Sequence, residues 1–101
     1  MDADHLAVEL VIHTASGVLT GRFGPREAVT ILATQAPHAR ARAVLLSDRD
    51  PEWSATHAEL LGSIIAALSE RLETTPQRSD LKAVLSELDR VVRALTTAPS
   101  Q

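Results

Sequence analysis

DHLAVELVIHTASGVLTG, residues 4–21, decides the fold. Placed on a helix, His5, Glu9, His13, Ser16 and Thr20 fall on one narrow polar stripe. Val8, Val11, Ile12, Ala15, Val18 and Leu19 cover the opposite side, and Leu6 and Leu10 cover a flank. A helix that is apolar over most of its circumference needs neighbours on at least two sides, so the pattern predicts a central helix. The rival reading is a β-hairpin over 7–23. Val8 to Thr14 is rich in β-branched residues, Ala15-Ser16-Gly17 suits a turn, and Gly17 and Gly21 weaken a helix. The polar stripe keeps a helical period over four turns, and this favours the helix.

The remaining chain supplies the neighbours. Gly24-Pro25-Arg26-Glu27 is a start signal, with Pro at the first helical position and an acid in the first turn. It predicts a helix to about Ala36 that buries Ala28, Val29, Ile31 and Leu32, with Gly24 terminating the helix before it. Pro37 disfavours α conformation at Ala36, so the helix is expected to end there. A third helix then follows over about His38 to Ser47, with a turn at Ser47–Asp50. Asp50-Pro51-Glu52 repeats the start signal, Asp50 being the expected N-cap, and opens a long helix to about Glu73. Its broad apolar face carries Trp53, His57, Leu60, Leu61, Ile64, Ala67, Leu68 and Leu72. Thr74–Gln77 breaks it. Ser79 to Leu95 has the cleanest period of all, through Leu81, Val84, Leu85, Leu88, Val91, Val92 and Leu95. The expectation is all-α: a compact bundle of four to five helices, one domain over 1–95 with a frayed tail over 96–101, the last two helices forming a hairpin against which the first packs.

Composition narrows the function. The chain of 101 residues has no cysteine, which excludes disulfides and thiolate metal sites. No apolar run is long enough to span a bilayer. The acidic start, Met1-Asp2-Ala3-Asp4, is unlike a secretory signal and favours the cytoplasm. Arg is used almost to the exclusion of Lys, a usage associated with GC-rich bacterial genomes. Phe23 and Trp53 are the only aromatics, which removes the stacking platforms that read single-stranded nucleic acid. The net charge of −3 is uneven. Residues 22–49 are the basic segment, with five Arg against Glu27 and Asp48. A polyanion would have to use that segment.

No constellation for catalysis stands out. His5, Glu9 and His13 share a face at metal-ligand spacing, but they are also the only polar arc of a greasy helix. His57 has no nominated nucleophile, and Ser54 and Ser63 lack a nucleophile motif. Gly17, Gly21 and Gly24 have neither phosphate-loop spacing nor the following Lys. No enzyme, cofactor or metal is expected. The candidate site is basic: Arg22 and Arg26 bracket the turn into the second helix, and Arg40 and Arg42 sit in the third. A hairpin of those two helices would gather the four on one surface able to contact phosphates, at a strength set by only a few ion contacts.

Ile12-x-x-Ala15-x-Gly17-Val18-Leu19-x-x-Arg22-Phe23-Gly24, followed by Glu27-Ala28 and Leu32, resembles an ANTAR domain. The resemblance covers residues 12–47; Arg40 and Ala41-Arg42-Ala43 stand where that family carries Asn and a basic-Leu pair. It implies a three-helix RNA-binding module of bacterial transcription antitermination, with Arg22, Arg26, Arg40 and Arg42 as RNA-binding residues. The reading drawn from the residues themselves is a small non-catalytic helical regulator that binds a protein partner or itself as a homodimer, with no membrane partner.

Overall fold

The computed structural model describes residues 2–97. Four α-helices, α1 (Ala3–Leu19), α2 (Pro25–Arg49), α3 (Pro51–Ser69) and α4 (Arg78–Thr96), pack as a bundle, with a 3-10 turn (Glu70–Glu73) between α3 and α4. There is no strand among the described residues, so residues 7–23 are not a hairpin. No helix among them is long and apolar enough to cross a membrane. Of the expected frayed tail, Thr96 closes α4 and Thr97 is tied to α2, while residues 98–101 lie outside the described residues.

α1 opens on Asp2, whose carboxylate accepts from the Asp4 backbone N–H. It ends in a Schellman turn: Gly21 N–H bonds Val18 O (3.3 Å) and Arg22 N–H bonds Gly17 O (2.7 Å). Gly21 sits at φ +84°, the left-handed conformation such a turn needs and that glycine adopts without a Cβ penalty. The terminator is therefore Gly21, not Gly24. Gly24 is extended and occupies the N-cap of α2. Gly17 serves a different need, because the Phe23 ring lies directly over its Cα.

The main correction concerns Pro37. It does not divide the chain into two helices; α2 runs through it for 25 residues, about 37 Å. Pro37 is exposed, so its missing N–H and the Ala33 carbonyl it leaves without a partner face water instead of the core. The buried positions Ala28, Leu32, Ala36, Ala39, Ala43 and Leu46 stay within about 80° of one another at 100° per residue, on both sides of the proline. One unbroken buried stripe supports one helix. The expected turn at Ser47–Asp50 shrinks to Asp50 alone, between Arg49 and Pro51.

α2 makes its most extensive contacts with α4 and then α1, while α3 packs chiefly on α4; α1 touches α4 least. The expected hairpin of the last two helices is present, but α1 docks mainly on α2. Thr97 O accepts from the Ser47 hydroxyl (2.6 Å) at the C-terminal ends of α4 and α2, so these two helices run parallel. Their close approach uses the small residues of the α2 stripe against Leu81, Val84, Leu88 and Val91 of α4, all 2% exposed or less. Of the apolar faces read from sequence, Leu61, Ile64 and Leu68 are buried, but Leu60 is turned outward. Ser54 Oγ is buried in α3 without a hydrogen-bond partner.

Candidate functional site

The bundle has two chemically different poles. At one, the N-terminus of α1 meets the joint between α2 and α3. Asp4 is nearly buried and receives two guanidinium groups, Arg42 Nη1 on Oδ1 (3.2 Å) and Arg49 Nη1 on Oδ2 (3.1 Å). A carboxylate out of water is tolerated because both of its oxygens are paired. His5 Nε2 donates to Asp50 Oδ2 (3.0 Å), since a carboxylate can only accept. Asp50 thus occupies the N-cap of α3 as expected, but its side chain makes no capping bond and turns to His5 instead.

His5 meets the Trp53 ring edge-on (centroids 4.6 Å), and His57 stacks on Trp53 (3.8 Å, planes 20° apart) while its Nδ1–H donates to Trp53 O (2.8 Å). His57 is half-buried, and its one side-chain hydrogen bond is to Trp53 O. The polar stripe of α1 therefore meets α3 through His5, and the solvent-facing side of α1 carries Leu6 and Leu10 together with His13 and Thr20 of that stripe. No group of three metal-ligating side chains comes together among the described residues.

The Asp4 backbone N–H on the Asp2 carboxylate lowers the Asp2 pKa, aided by His5 and Arg49 nearby. A carboxyl whose pKa is depressed by folding stabilises the fold above its unfolded value and loses that contribution as pH falls through the folded one. Asp2→Ala should therefore lower the melting temperature at neutral pH, and the gap from the native protein should close below about pH 4. A gap that stays constant across that range would remove Asp2 as the titrating cap.

The opposite pole holds the Schellman turn, the N-terminus of α2, the 3-10 turn and the start of α4. A cleft of about 250 Å³ opens there, walled by Val18, Phe23, Leu68 and Leu81, with Arg71 and Thr75 at its polar side. Arg71 reaches back across 52 residues of sequence: Nη2 donates to Leu19 O (2.7 Å) and Nη1 to Val18 O (3.4 Å). A cation on the last carbonyls of α1 compensates that helix end, which has no basic residue of its own in its last turn.

The four sequence-predicted arginines are divided between the poles. Arg22 and Arg26 are exposed beside the cleft; Arg40 lies about 21 Å further along α2 from Arg26, and Arg42 is engaged by Asp4. The gathering of all four depended on a break at Pro37 that does not occur. Arg71 is the residue the sequence reading missed. The sequence placed it inside a helix expected to run to about Glu73, whereas α3 ends at Ser69 and Arg71 sits in the 3-10 turn; its partner carbonyls are unreachable by any short-range rule.

Among the described residues, the ion pairs draw in Arg42, Arg49, Arg90 and Arg93, but not Arg22, Arg26 or Arg71. The cleft pole thus carries cations without carboxylate partners. Compared with protein-family models, curated proteins and solved structures, the chain finds no match in any of the three.

Proposed function

We propose that this chain is a small non-catalytic helical regulator that works by binding a protein partner or a second copy of itself. The observation that carries the reading is a set of large apolar side chains left in solvent. Leu6, Leu10, Val44, Leu45 and Leu60 are 44–48% exposed. Single exposed leucines are ordinary, but Leu6 and Leu10 are consecutive turns of one α1 face and Val44 and Leu45 are neighbours at the end of α2. An apolar strip on a regular helix suits helix-against-helix recognition.

Light scattering across a wide concentration range tests the self-association half, and Leu6→Asp with Leu10→Asp tests the surface. The native protein should form a dimer that the double variant cannot, with helicity unchanged. If it stays monomeric at every concentration and the double variant loses no partner in pull-down, the reading fails.

The ANTAR resemblance offers a second reading, an RNA-binding module. Its support is the pair of exposed arginines, Arg22 and Arg26, without carboxylate partners; the separation of Arg40 and Arg42 from them weighs against a single four-arginine surface. Trp53 is the only strong protein chromophore, so absorbance at long and short ultraviolet wavelengths across the same peak detects bound RNA directly. Excess nucleic-acid absorbance, stripped by salt, would favour this second reading.

A further inference from the structure

We propose that α1 pairs with α1 of a second copy of this chain, antiparallel across a two-fold axis at the level of Val11. This deepens the partner-binding reading and rests on it. Leu6, Glu9, Leu10 and His13 fall within about 100° of one another around the helix, on the side turned away from the core. Leu6 and Leu10 are 47% and 44% exposed, so apolar surface is there to be covered. His13 is exposed and Glu9 half-buried, and neither enters an ion pair among the described residues, not even with the other.

This face is complementary to itself in one orientation. Glu9 stands two residues before Val11 and His13 two residues after it. An antiparallel two-fold pairing at that level therefore sets Glu9 of each copy against His13 of the other, twice per dimer. The imidazole donates an N–H to a carboxylate whether it is charged or neutral. The two Leu10 side chains then lie two residues, about 3 Å, apart along the helix axes and cover each other. Leu6 extends the apolar contact at both ends. A parallel pairing would instead set Glu9 on Glu9 and His13 on His13, like against like. The outer face of α4 offers no such match, because Arg90 and Arg93 already turn to Glu87 and Asp89 of their own helix. One helix against one helix is smaller than a standard interface of about 1,200–2,000 Å², so the pairing is a weak, exchanging dimer.

The experiment is sedimentation equilibrium on the full chain over a wide concentration range, with circular dichroism to confirm that each variant keeps its helices. The native chain should dimerise reversibly, and Leu10→Asp should abolish the dimer. His13→Glu makes the face all acidic and should weaken dimerisation by about tenfold. Glu9→Lys combined with His13→Lys makes it all basic and should weaken it likewise. An equimolar mixture of the acidic and basic variants should form a heterodimer at least as tight as the native dimer. The proposal is overturned if the native chain stays monomeric at every concentration, or if the dimer survives Leu10→Asp. It is equally overturned if the charge variants dimerise as the native chain does and mixing them changes nothing. In that last case the broader partner-binding reading stands while this pairing falls. The same holds if a monomeric native chain captures another polypeptide that the Leu6→Asp, Leu10→Asp variant loses.

Discussion

Leu32→Ala should destabilise the bundle by about 2–5 kcal/mol, the range for removing a fully buried leucine side chain and leaving a cavity. Leu32 is fully buried on α2, and its neighbours along the stripe are Ala28 and Ala36. In the N-terminal half of α2, Leu32 is thus the one large side chain that is fully buried, with Val29 packing only partly against the core. A domain of this size is stable by about 5–15 kcal/mol, so the variant loses a large fraction of the total. Thermal unfolding followed by circular dichroism should show the midpoint falling by at least about 10 °C. A loss below about 1 kcal/mol would mean that α2 is not anchored through this residue.

Gly17→Ala should also destabilise, against the usual direction for a helix interior. Replacing a mid-helix glycine with alanine ordinarily gains about 1 kcal/mol from the unfolded chain's lost freedom. Here a Cβ on residue 17 would come within 2.6 Å of Phe23 Cε2 and closer still to Cδ2, so the ring must leave its place. Displacing a packed side chain costs about 1–3 kcal/mol, which outweighs the propensity gain. Phe23→Ala in the same chain should reverse the sign: with the ring gone, Gly17→Ala becomes neutral or stabilising. A double-mutant cycle measures this coupling, and strictly additive effects would show that Phe23 does not rest on Gly17.

Both predictions concern residues whose roles were only half legible in the sequence. The helical period of α1, α3 and α4 could be read directly, because burial imposes a spacing that no turn or strand shares. Pro37 misled because the rule it invokes is local. Whether a proline ends a helix depends on which side of the helix it occupies, and the continuous phase of Ala28, Leu32, Ala36, Ala39, Ala43 and Leu46 carried that answer.

Gly17 and Gly21 looked alike in sequence as helix weakeners, yet one makes room for an aromatic ring and the other adopts a left-handed turn. Only the fold distinguishes them. The candidate site was legible in part: Arg22 and Arg26 do stand at an unneutralised surface, but Arg71 joins them through contacts 52 residues distant. Arg42 reads as a free base until the fold sets it against Asp4.

The parallel course of α2 and α4 has a consequence for attachment. Thr97 is held to Ser47, and Asp2 lies 3.7 Å from Arg49, so the first and last described residues emerge beside the same end of α2. Anything tethered there, whether a purification tag, a solid support or a fused domain, sits at the far pole from the cleft and leaves its mouth unobstructed. The same proximity suits a short linker between the two ends, with new termini opened at the exposed Pro76-Gln77 pair between the 3-10 turn and α4.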